Sequence, residues 1–134
     1  MTAKGIGAGK SFHDLNFEVG KGEIVGITGL SDSGRNELAM ALAGHIQLST
    51  GALDIEGEPL QLSSPHTAIS AGIGYVPEDR LSEGLFIEKS IYANEVPLIL
   101  EKISRSSGLI DDARGRAAAQ EITAQMQLNT ANLD

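Results

Sequence analysis

A glycine-rich loop between two apolar runs constrains the fold of this chain more than any other feature. Its glycines, Gly29 and Gly34, are separated by four residues, which is the Gly-x-x-x-x-Gly spacing of a phosphate-binding P-loop. The run before the loop, Glu23–Thr28, predicts a buried strand, and the run after it, Asn36–Ala43, predicts a helix that ends at Gly44. Strand, loop and helix in this order place backbone N–H groups around an anion at a helix N-terminus. The predicted phosphate site consists of Gly29, Leu30, Ser31, Asp32, Ser33, Gly34, Arg35, Asn36 and Glu37.

The loop departs from the P-loop pattern at the residues that hold the terminal phosphates. A P-loop continues with a lysine that reaches the β- and γ-phosphates and a Ser or Thr whose hydroxyl binds Mg²⁺. These positions are Arg35 and Asn36 here. Arginine keeps the positive charge on a longer, planar fork, whereas asparagine offers the metal only an amide oxygen. Asp32 adds a carboxylate that repels phosphate if it points inward. On the loop alone, a tight turn that binds no ligand remains the alternative.

A second glycine-rich stretch ends in the Gly-Lys-Ser that the loop lacks. It reads Gly-Ile-Gly-Ala-Gly-Lys-Ser over residues 5–11, but Lys4 stands where the first glycine of a P-loop belongs, and no strand precedes it. We expect residues 1–11 to form a flexible leading segment rather than a phosphate site.

Composition limits the classes of function. The chain has 134 residues, 10 Lys and Arg against 18 Asp and Glu, a net charge of −8, and no cysteine. An acidic balance argues against a nucleic-acid partner, because neutralising phosphates needs a basic face. No apolar run approaches the roughly 20 residues that span a bilayer, and the first residues lack the apolar core of a signal peptide. Absence of cysteine excludes disulfides and suits the cytoplasm.

Short-range patterns predict the other elements of the first half. Phe12–Val19 alternates as a strand with one wet face, and residues 52–56 and 59–62 predict a hairpin around Glu56-Gly57-Glu58. Ser64 is expected to cap a short helix that starts with Pro65 and ends at Gly72. Residues 73–76 predict a short buried strand.

Helix signals dominate after residue 90. Ser90 is a candidate cap for a helix that begins at Ile91, and Pro97 interrupts any helix there. Asp111 or Asp112 is expected to start another helix. Along it, the four-residue repeat of Ala118, Ile122 and Met126 predicts a stripe that packs in a core.

Two segments on either side of the loop make the pattern specific. Leu-Asn-Phe-Glu-Val-Gly-Lys-Gly-Glu-Ile precedes it over residues 15–24, and Gly-Tyr-Val-Pro-Glu-Asp-Arg follows over residues 74–80. With the Gly-Leu-…-Gly-Arg loop, they resemble the ATP-binding subunits of ABC transporters. More narrowly, they resemble the second nucleotide-binding domain of the tandem ATPases that drive bacterial import of ribose, xylose and galactose. The resemblance runs from about Phe12 to Ile91.

The resemblance implies a fold and a set of partners. The fold is an α/β P-loop NTPase core of an ABC nucleotide-binding domain with an antiparallel β subdomain, truncated within the helical subdomain. Residues 12–134 are then a partial ATP-binding domain, with the core over 12–89 and the start of the helical subdomain over about 90–134. A protein of this kind binds ATP or ADP in the cytoplasm, at the inner face of the membrane. It docks on a transmembrane permease and pairs with a second nucleotide-binding domain.

The resemblance also assigns roles to single residues. Glu78 stands where the ABC pattern usually has the glutamine of the Q-loop, and with Asn36 it is a candidate, weak ligand of Mg²⁺. Phe12 is the aromatic nearest to the position that stacks on adenine. Asn36 departs from the sugar-importer pattern, in which this position is usually Thr. We therefore expect nucleotide binding or regulation rather than hydrolysis.

Several segments that complete such a domain do not occur in these 134 residues. The sequence contains no Leu-Ser-Gly-Gly signature and no apolar strand ending in Asp-Glu, and His13, His45 and His66 all precede the place of the switch histidine. We interpret the sequence as a fragment and expect it to self-associate through the open edge of Glu23–Thr28. The alternatives are an interaction module that binds no nucleotide and an unrelated P-loop kinase or GTPase.

Overall fold

The chain forms two compact units, Met1–Glu78 and Asp79–Asp134. This computed structural model describes residues 1–128 and 133, without the side chains of residues 98 and 101. The division comes earlier than the boundary expected near residue 89. Residues 129–132 and 134, which belong to the predicted helical subdomain, lie outside the described residues.

The first unit contains a four-stranded antiparallel sheet. Its strands are β1 (Thr2–Ala8), β2 (Phe12–Glu18), β3 (Thr50–Ile55) and β4 (Glu58–Leu60), in the order β2-β1-β3-β4. β1 therefore pairs with β2 on one side and with β3 on the other. The hairpin of β3 and β4 and the strand β2 confirm the sequence predictions.

Strand β1 corrects the prediction that residues 1–11 are a flexible leading segment. Ala3, Ile6 and Ala8 of this strand are at most 3% exposed. The glycines that suggested flexibility instead allow backbones to approach closely. A Cβ at Gly7 would lie 2.7 Å from Oγ1 of Thr50 and 3.1 Å from the carbonyl oxygen of Phe12. Gly7 therefore lets neighbouring strands pack against β1 where a side chain would collide.

Two short helices pack with this sheet around one apolar core. They are α1 (Arg35–Leu42) and α2 (Pro65–Ser70). Ser64 caps α2 as predicted, because its hydroxyl accepts a hydrogen bond from the Thr67 N–H at 3.3 Å. The core consists of Ala3, Ile6, Ala8, Phe12, Leu38, Ala41, Leu53, Leu62 and Ala68.

Two predicted strands, Glu23–Thr28 and residues 73–76, have no regular secondary structure. Ile24, Val25 and Ile27 are 97%, 42% and 51% exposed, and Val76 is 86% exposed. A strand exists only with a neighbour that accepts and donates its backbone hydrogen bonds. Within the part of the chain that the structure describes, neither segment belongs to a ladder. The apolar pattern was therefore insufficient to predict strands here.

The second unit is helical. Its helices are α3 (Ile91–Glu95), α4 (Leu100–Ile103) and α5 (Asp112–Gln125), with a π-helical turn at Arg80–Gly84 and a 3-10 turn at Pro97–Ile99. The predicted caps are confirmed at two helix starts. Ser90 accepts from the Ala93 N–H, and Asp111 accepts from the Arg114 N–H.

Helix α5 packs through a face that contains part of the predicted stripe, because Ala118 and Ile122 are half-buried. Its buried residues are Gly115 and Ala119, whereas Met126 follows the last helical residue and is 69% exposed. Because Gly115 has no side chain, α5 approaches Tyr92 and Ile103 more closely than a larger residue at this position would allow. No helix of the described residues is long and apolar enough to cross a membrane.

Candidate phosphate-binding site

The predicted phosphate loop forms a turn that leads directly into α1. The Ser33 N–H donates to the Leu30 carbonyl at 3.0 Å, and the Leu38 N–H donates to the Gly34 carbonyl at 2.8 Å. Gly34 is the N-cap of α1 with φ of 81°, a left-handed conformation that glycine adopts without steric cost. Ser31, Asp32 and Ser33 are exposed. The loop is thus open to solvent immediately before the helix.

The N-terminus of α1 has the properties of an anion site. Gly34 has no side chain, and no side-chain hydrogen bond caps the helix. The first backbone N–H groups of a helix have no acceptor within the helix, and the helix dipole makes this end positive. An anion can therefore satisfy donors that other helices in this chain, such as α2, satisfy with a serine hydroxyl.

The start of β2 fixes the position of the loop. The Ser11 carbonyl oxygen occupies the space into which a Cβ at Gly34 would project, and that atom would also lie 3.3 Å from Cβ of Phe12. The loop can take this position only because residue 34 is glycine. Sequence reasoning missed Ser11, because no local pattern shows that a backbone carbonyl 23 residues upstream supports the loop.

Three polar side chains meet at the start of α1. Asn36 Nδ2 donates to Oε2 of Glu78 at 2.7 Å, across 42 residues of sequence. The guanidinium of Arg35 contacts both partners: its Nε lies 3.4 Å from Asn36 Oδ1, and its Nη2 lies 3.6 Å from Glu78 Oε2. We call Arg35, Asn36 and Glu78 the polar triad. The structure thus brings together three residues that the sequence selected separately.

The polar triad does not fit Mg²⁺ in this arrangement. Mg²⁺ requires about six oxygen ligands in near-ideal octahedral geometry. Asn36 directs its amide nitrogen at Glu78, and both its oxygen and Glu78 Oε2 face the cationic guanidinium. No group of three or more His, Cys, Asp or Glu side chains suited to a metal occurs among the described residues. A metal ion would have to displace the guanidinium.

Phe12 is not available to stack on adenine, contrary to the expectation. Its side chain belongs to the core of the first unit and is 6% exposed. A stacking aromatic needs a free face. Strict alternation along β2 would place Phe12 on the side opposite Leu15 and Phe17, yet all three pack in the same core, so the local pattern gave no signal for this position. Tyr75 packs in the same unit, with its ring centroid 5.6 Å from that of His45.

Asp79, the next residue after Glu78, begins the second unit as a capping residue. Its Oδ1 accepts from the N–H groups of Leu81 and Ser82 at 3.1 and 3.3 Å. The hydrogen bonds from Ser82, followed by that from Leu81, hold the pKa of the Asp79 carboxyl below its ordinary value. The carboxylate thus stabilises the turn at Arg80–Gly84, a role that sequence reasoning did not assign.

Comparisons with known proteins extend over most of the chain. The family model described as ABC transporter matches residues 12–133. The chain is 40% identical over 119 residues, 89% of its length, to the putative ribose/galactose/methyl galactoside import ATP-binding protein 3 of Agrobacterium fabrum. It is 40% identical over all 134 residues to the ribose import ATP-binding protein RbsA 1 of Rhizobium meliloti, and 37% identical over 97% of its length to RbsA 3 of Rubrobacter xylanophilus.

The similarity covers only part of each relative. The chain spans 24% of the Agrobacterium protein and 26% of each of the other two. No solved structure matches the chain significantly.

Proposed function

The chain belongs to the ABC transporter family, and on that premise we propose that it is part of a nucleotide-binding domain of a carbohydrate-import ATPase. More narrowly, we assign it to the second nucleotide-binding domain of such an ATPase. The similarity to the ribose and galactose import ATP-binding proteins supports the substrate class. The loop with its Arg35, and the Pro-Glu-Asp-Arg segment at 77–80, support the second domain.

The uncapped N-terminus of α1 behind the Gly29–Gly34 loop is the observation that carries the binding proposal. Its free backbone donors, the helix dipole and the adjacent guanidinium of Arg35 all favour a phosphate group. We assign the phosphates of ATP or ADP to Gly29, Leu30, Ser31, Asp32, Ser33, Gly34, Arg35, Asn36 and Glu37. Magnesium contributes at most weakly to the binding of these phosphates.

The polar triad favours binding or regulation over hydrolysis. Hydrolysis in a P-loop site needs a cation clamp on the β- and γ-phosphates and a bound Mg²⁺ that neutralises the developing charge. Arg35 divides its contacts between Asn36 and Glu78, and Asn36 lacks the hydroxyl that ligates the metal. This site therefore holds phosphate without the groups that lower the barrier to its transfer.

Membership of the same family supports a proposal for the partners and the cellular location of the parent protein. We propose that the parent protein lies in the cytoplasm at the inner face of the membrane, docks on a transmembrane permease and pairs with another nucleotide-binding domain. The isolated 134-residue chain should also self-associate. Its exposed Ile24, Ile27 and Val76 form apolar surface beside unpaired backbone, and such segments are templates for association.

The alternative is an interaction module that binds no nucleotide. Asp32 in the exposed loop and the ion pair between Arg35 and Glu78 favour it, because both reduce the positive potential that an anion meets. The module would serve as a platform for dimerisation and permease docking.

A titration with a fluorescent ATP analogue, with and without Mg²⁺, separates these functions. We expect weak, saturable binding to residues 1–134, lost in Gly34→Asp because the added carboxylate both repels phosphate and collides with the Ser11 backbone. Absence of saturable binding in both buffers would contradict the nucleotide-binding proposal and favour the interaction module. Sedimentation velocity on the same samples tests self-association; a monomer at all concentrations would contradict it.

A further inference from the structure

The side chain of Arg35 lies where a divalent cation would be expected to bind. The two side chains that the family resemblance pairs with the metal, Asn36 and Glu78, are in direct contact. The Arg35 guanidinium lies 3.4 Å from the oxygen of one and 3.6 Å from an oxygen of the other. A permanent positive charge of the protein thus faces one oxygen of each side chain that could bind an external cation.

The guanidinium keeps its positive charge at any pH at which the chain folds. Arginine stays protonated, so its charge is not lost on desolvation as that of lysine can be. Its five N–H donors form a planar fork that suits phosphate oxygens. The contacts within the polar triad engage Nε and Nη2, so donors remain for a phosphate. A lysine ammonium is a compact point charge and cannot contact both oxygens and a phosphate with the same planar geometry.

Resting on the nucleotide-binding role proposed above, we propose that Arg35 replaces the divalent cation of this site. The chain then binds the diphosphate part of a nucleotide without Mg²⁺, with the guanidinium held by Asn36 and Glu78 as an internal counter-ion. The oxygens of Asn36 and Glu78, the candidate metal ligands of this site, orient the arginine instead.

Because the polar triad is exposed, the ion pair between Arg35 and Glu78 can open when a ligand binds. The side chains of Arg35 and Glu78 are 39% and 70% exposed, so solvent screens their attraction. A diphosphate with several negative charges can therefore compete with Glu78 for the guanidinium. Glu78→Gln removes the competing charge and should strengthen ADP binding several-fold, while the amide oxygen can still accept the hydrogen bond from Asn36 Nδ2.

Measuring ADP affinity in excess Mg²⁺ and in excess chelator tests the proposal. For the 134-residue chain, we expect the dissociation constants in the two buffers to differ by less than about fivefold. In Arg35→Lys/Asn36→Thr, which restores the usual P-loop pair, Mg²⁺ should tighten binding by at least about tenfold. A control is Arg105→Ala, which removes an arginine charge from the ion pair with the partly buried Asp111 in the second unit.

A nucleotide-free measurement separates failure of this inference from failure of the proposed function. With Mn²⁺ as the probe, paramagnetic broadening of the Asn36 side-chain amide NMR signal reports a metal at the polar triad. We expect no broadening in the wild-type chain or in Arg105→Ala. We expect clear broadening in Arg35→Ala, in which Asn36 Oδ1 is released and Glu78 Oε2 keeps only the hydrogen bond from the neutral Asn36 amide.

Each outcome decides one of the two claims. Broadening in the wild-type chain, absence of broadening in Arg35→Ala, or ADP binding that depends strongly on Mg²⁺ overturns the role of Arg35. Absence of ADP binding in both buffers overturns the proposed function, and the Mn²⁺ experiment then still determines whether Arg35 occupies the cation position.

Discussion

The carbonyl oxygen of Ser11 fills the space that a Cβ would need at Gly34. Gly34 also has φ of 81°. Gly34→Ala should therefore combine left-handed backbone strain with a steric overlap that neither backbone can avoid. We expect a loss of about 2 kcal/mol in the free energy of unfolding, measured by urea denaturation, together with loss of ADP binding.

Gly57→Ala is the matched control for that substitution. Gly57 has φ of 86° and has no atom within 4 Å of its added Cβ, so the change imposes the backbone strain without the overlap. Its cost should be about 1 kcal/mol, and ADP affinity should be unchanged. Equal effects of the two substitutions would show that β2 does not fix the loop.

Removing the carboxylate of Asp32 should strengthen phosphate binding. The residue lies in the exposed turn between the two loop glycines, so Asp32→Gly removes a negative charge close to the proposed phosphate position. We expect a several-fold lower dissociation constant for ADP. Asp32→Asn controls for the added flexibility of glycine and should give the same direction. If neither change tightens binding, the carboxylate does not face the phosphate.

The chain alone should not turn over ATP. The polar triad replaces the lysine and hydroxyl that P-loop hydrolysis requires. Steady-state phosphate release from residues 1–134 should equal that of Gly34→Asp. Release that exceeds this control and scales with protein concentration would contradict the prediction.

Gly115 should be required for the packing of α5, although alanine is the better helix former. A Cβ there would lie 2.5 Å from Oη of Tyr92 and 3.2 Å from Cδ1 of Ile103. On propensity alone, Gly115→Ala in a helix interior would gain about 1 kcal/mol. We expect the overlap to reverse this sign and destabilise the second unit by about 1–2 kcal/mol.

Tyr92→Phe provides the test for that overlap. It removes the hydroxyl that collides with the new methyl group, so a double-mutant cycle should show that Gly115→Ala costs less in the Tyr92→Phe background. If the effects of the two substitutions on stability are additive, the cost of Gly115→Ala does not come from overlap with the Tyr92 hydroxyl. Thermal unfolding followed by circular dichroism measures all four proteins.

The N-terminus of α5 should be sensitive to acid. A hydrogen bond from Tyr92, and then one from Arg116, lowers the pKa of Asp112 below its ordinary value, and the hydrogen bond from the Arg114 N–H lowers that of Asp111. Carboxylates with a lower pKa in the folded state stabilise it above the unfolded value and lose this contribution as the pH falls through the folded value. We expect α5 to lose stability progressively below about pH 4.

Asp111→Asn and Asp112→Asn should make α5 less sensitive to acid. Asparagine also caps helices but does not titrate, so the midpoint of thermal unfolding should vary less with pH in these variants than in the wild-type chain. An unchanged pH profile would show that other carboxylates determine acid stability.

Local signals in the sequence predicted local structure well. The caps at Ser64, Ser90 and Asp111 and the β3–β4 hairpin depend on contacts within a few residues. The phosphate loop and α1 also follow from local pattern, and the similarity to ABC transporter proteins confirms the family that the loop indicated.

Contacts between distant residues could not be predicted from the sequence. An apolar run such as Glu23–Thr28 forms a strand only if a partner pairs with it, and the glycines of β1 indicate flexibility until two other strands lie against them. Asn36 and Glu78 were each identified from the sequence as candidate ligands of Mg²⁺. Because 42 residues separate them, only the fold could show that their side chains form a hydrogen bond with each other.

The central position of β1 in the sheet determines the order in which its two neighbouring strands can pair with it during folding. β1 can close on β2 as soon as both are synthesised, but its other edge stays open until β3 emerges; Ser49 reaches back 42 residues to hydrogen-bond to Gly7. The loop and α1 are made within this interval. Pairing across long sequence separation is slow, because chain entropy is lost before contacts compensate for it. Docking of β3 should therefore limit refolding of the first unit.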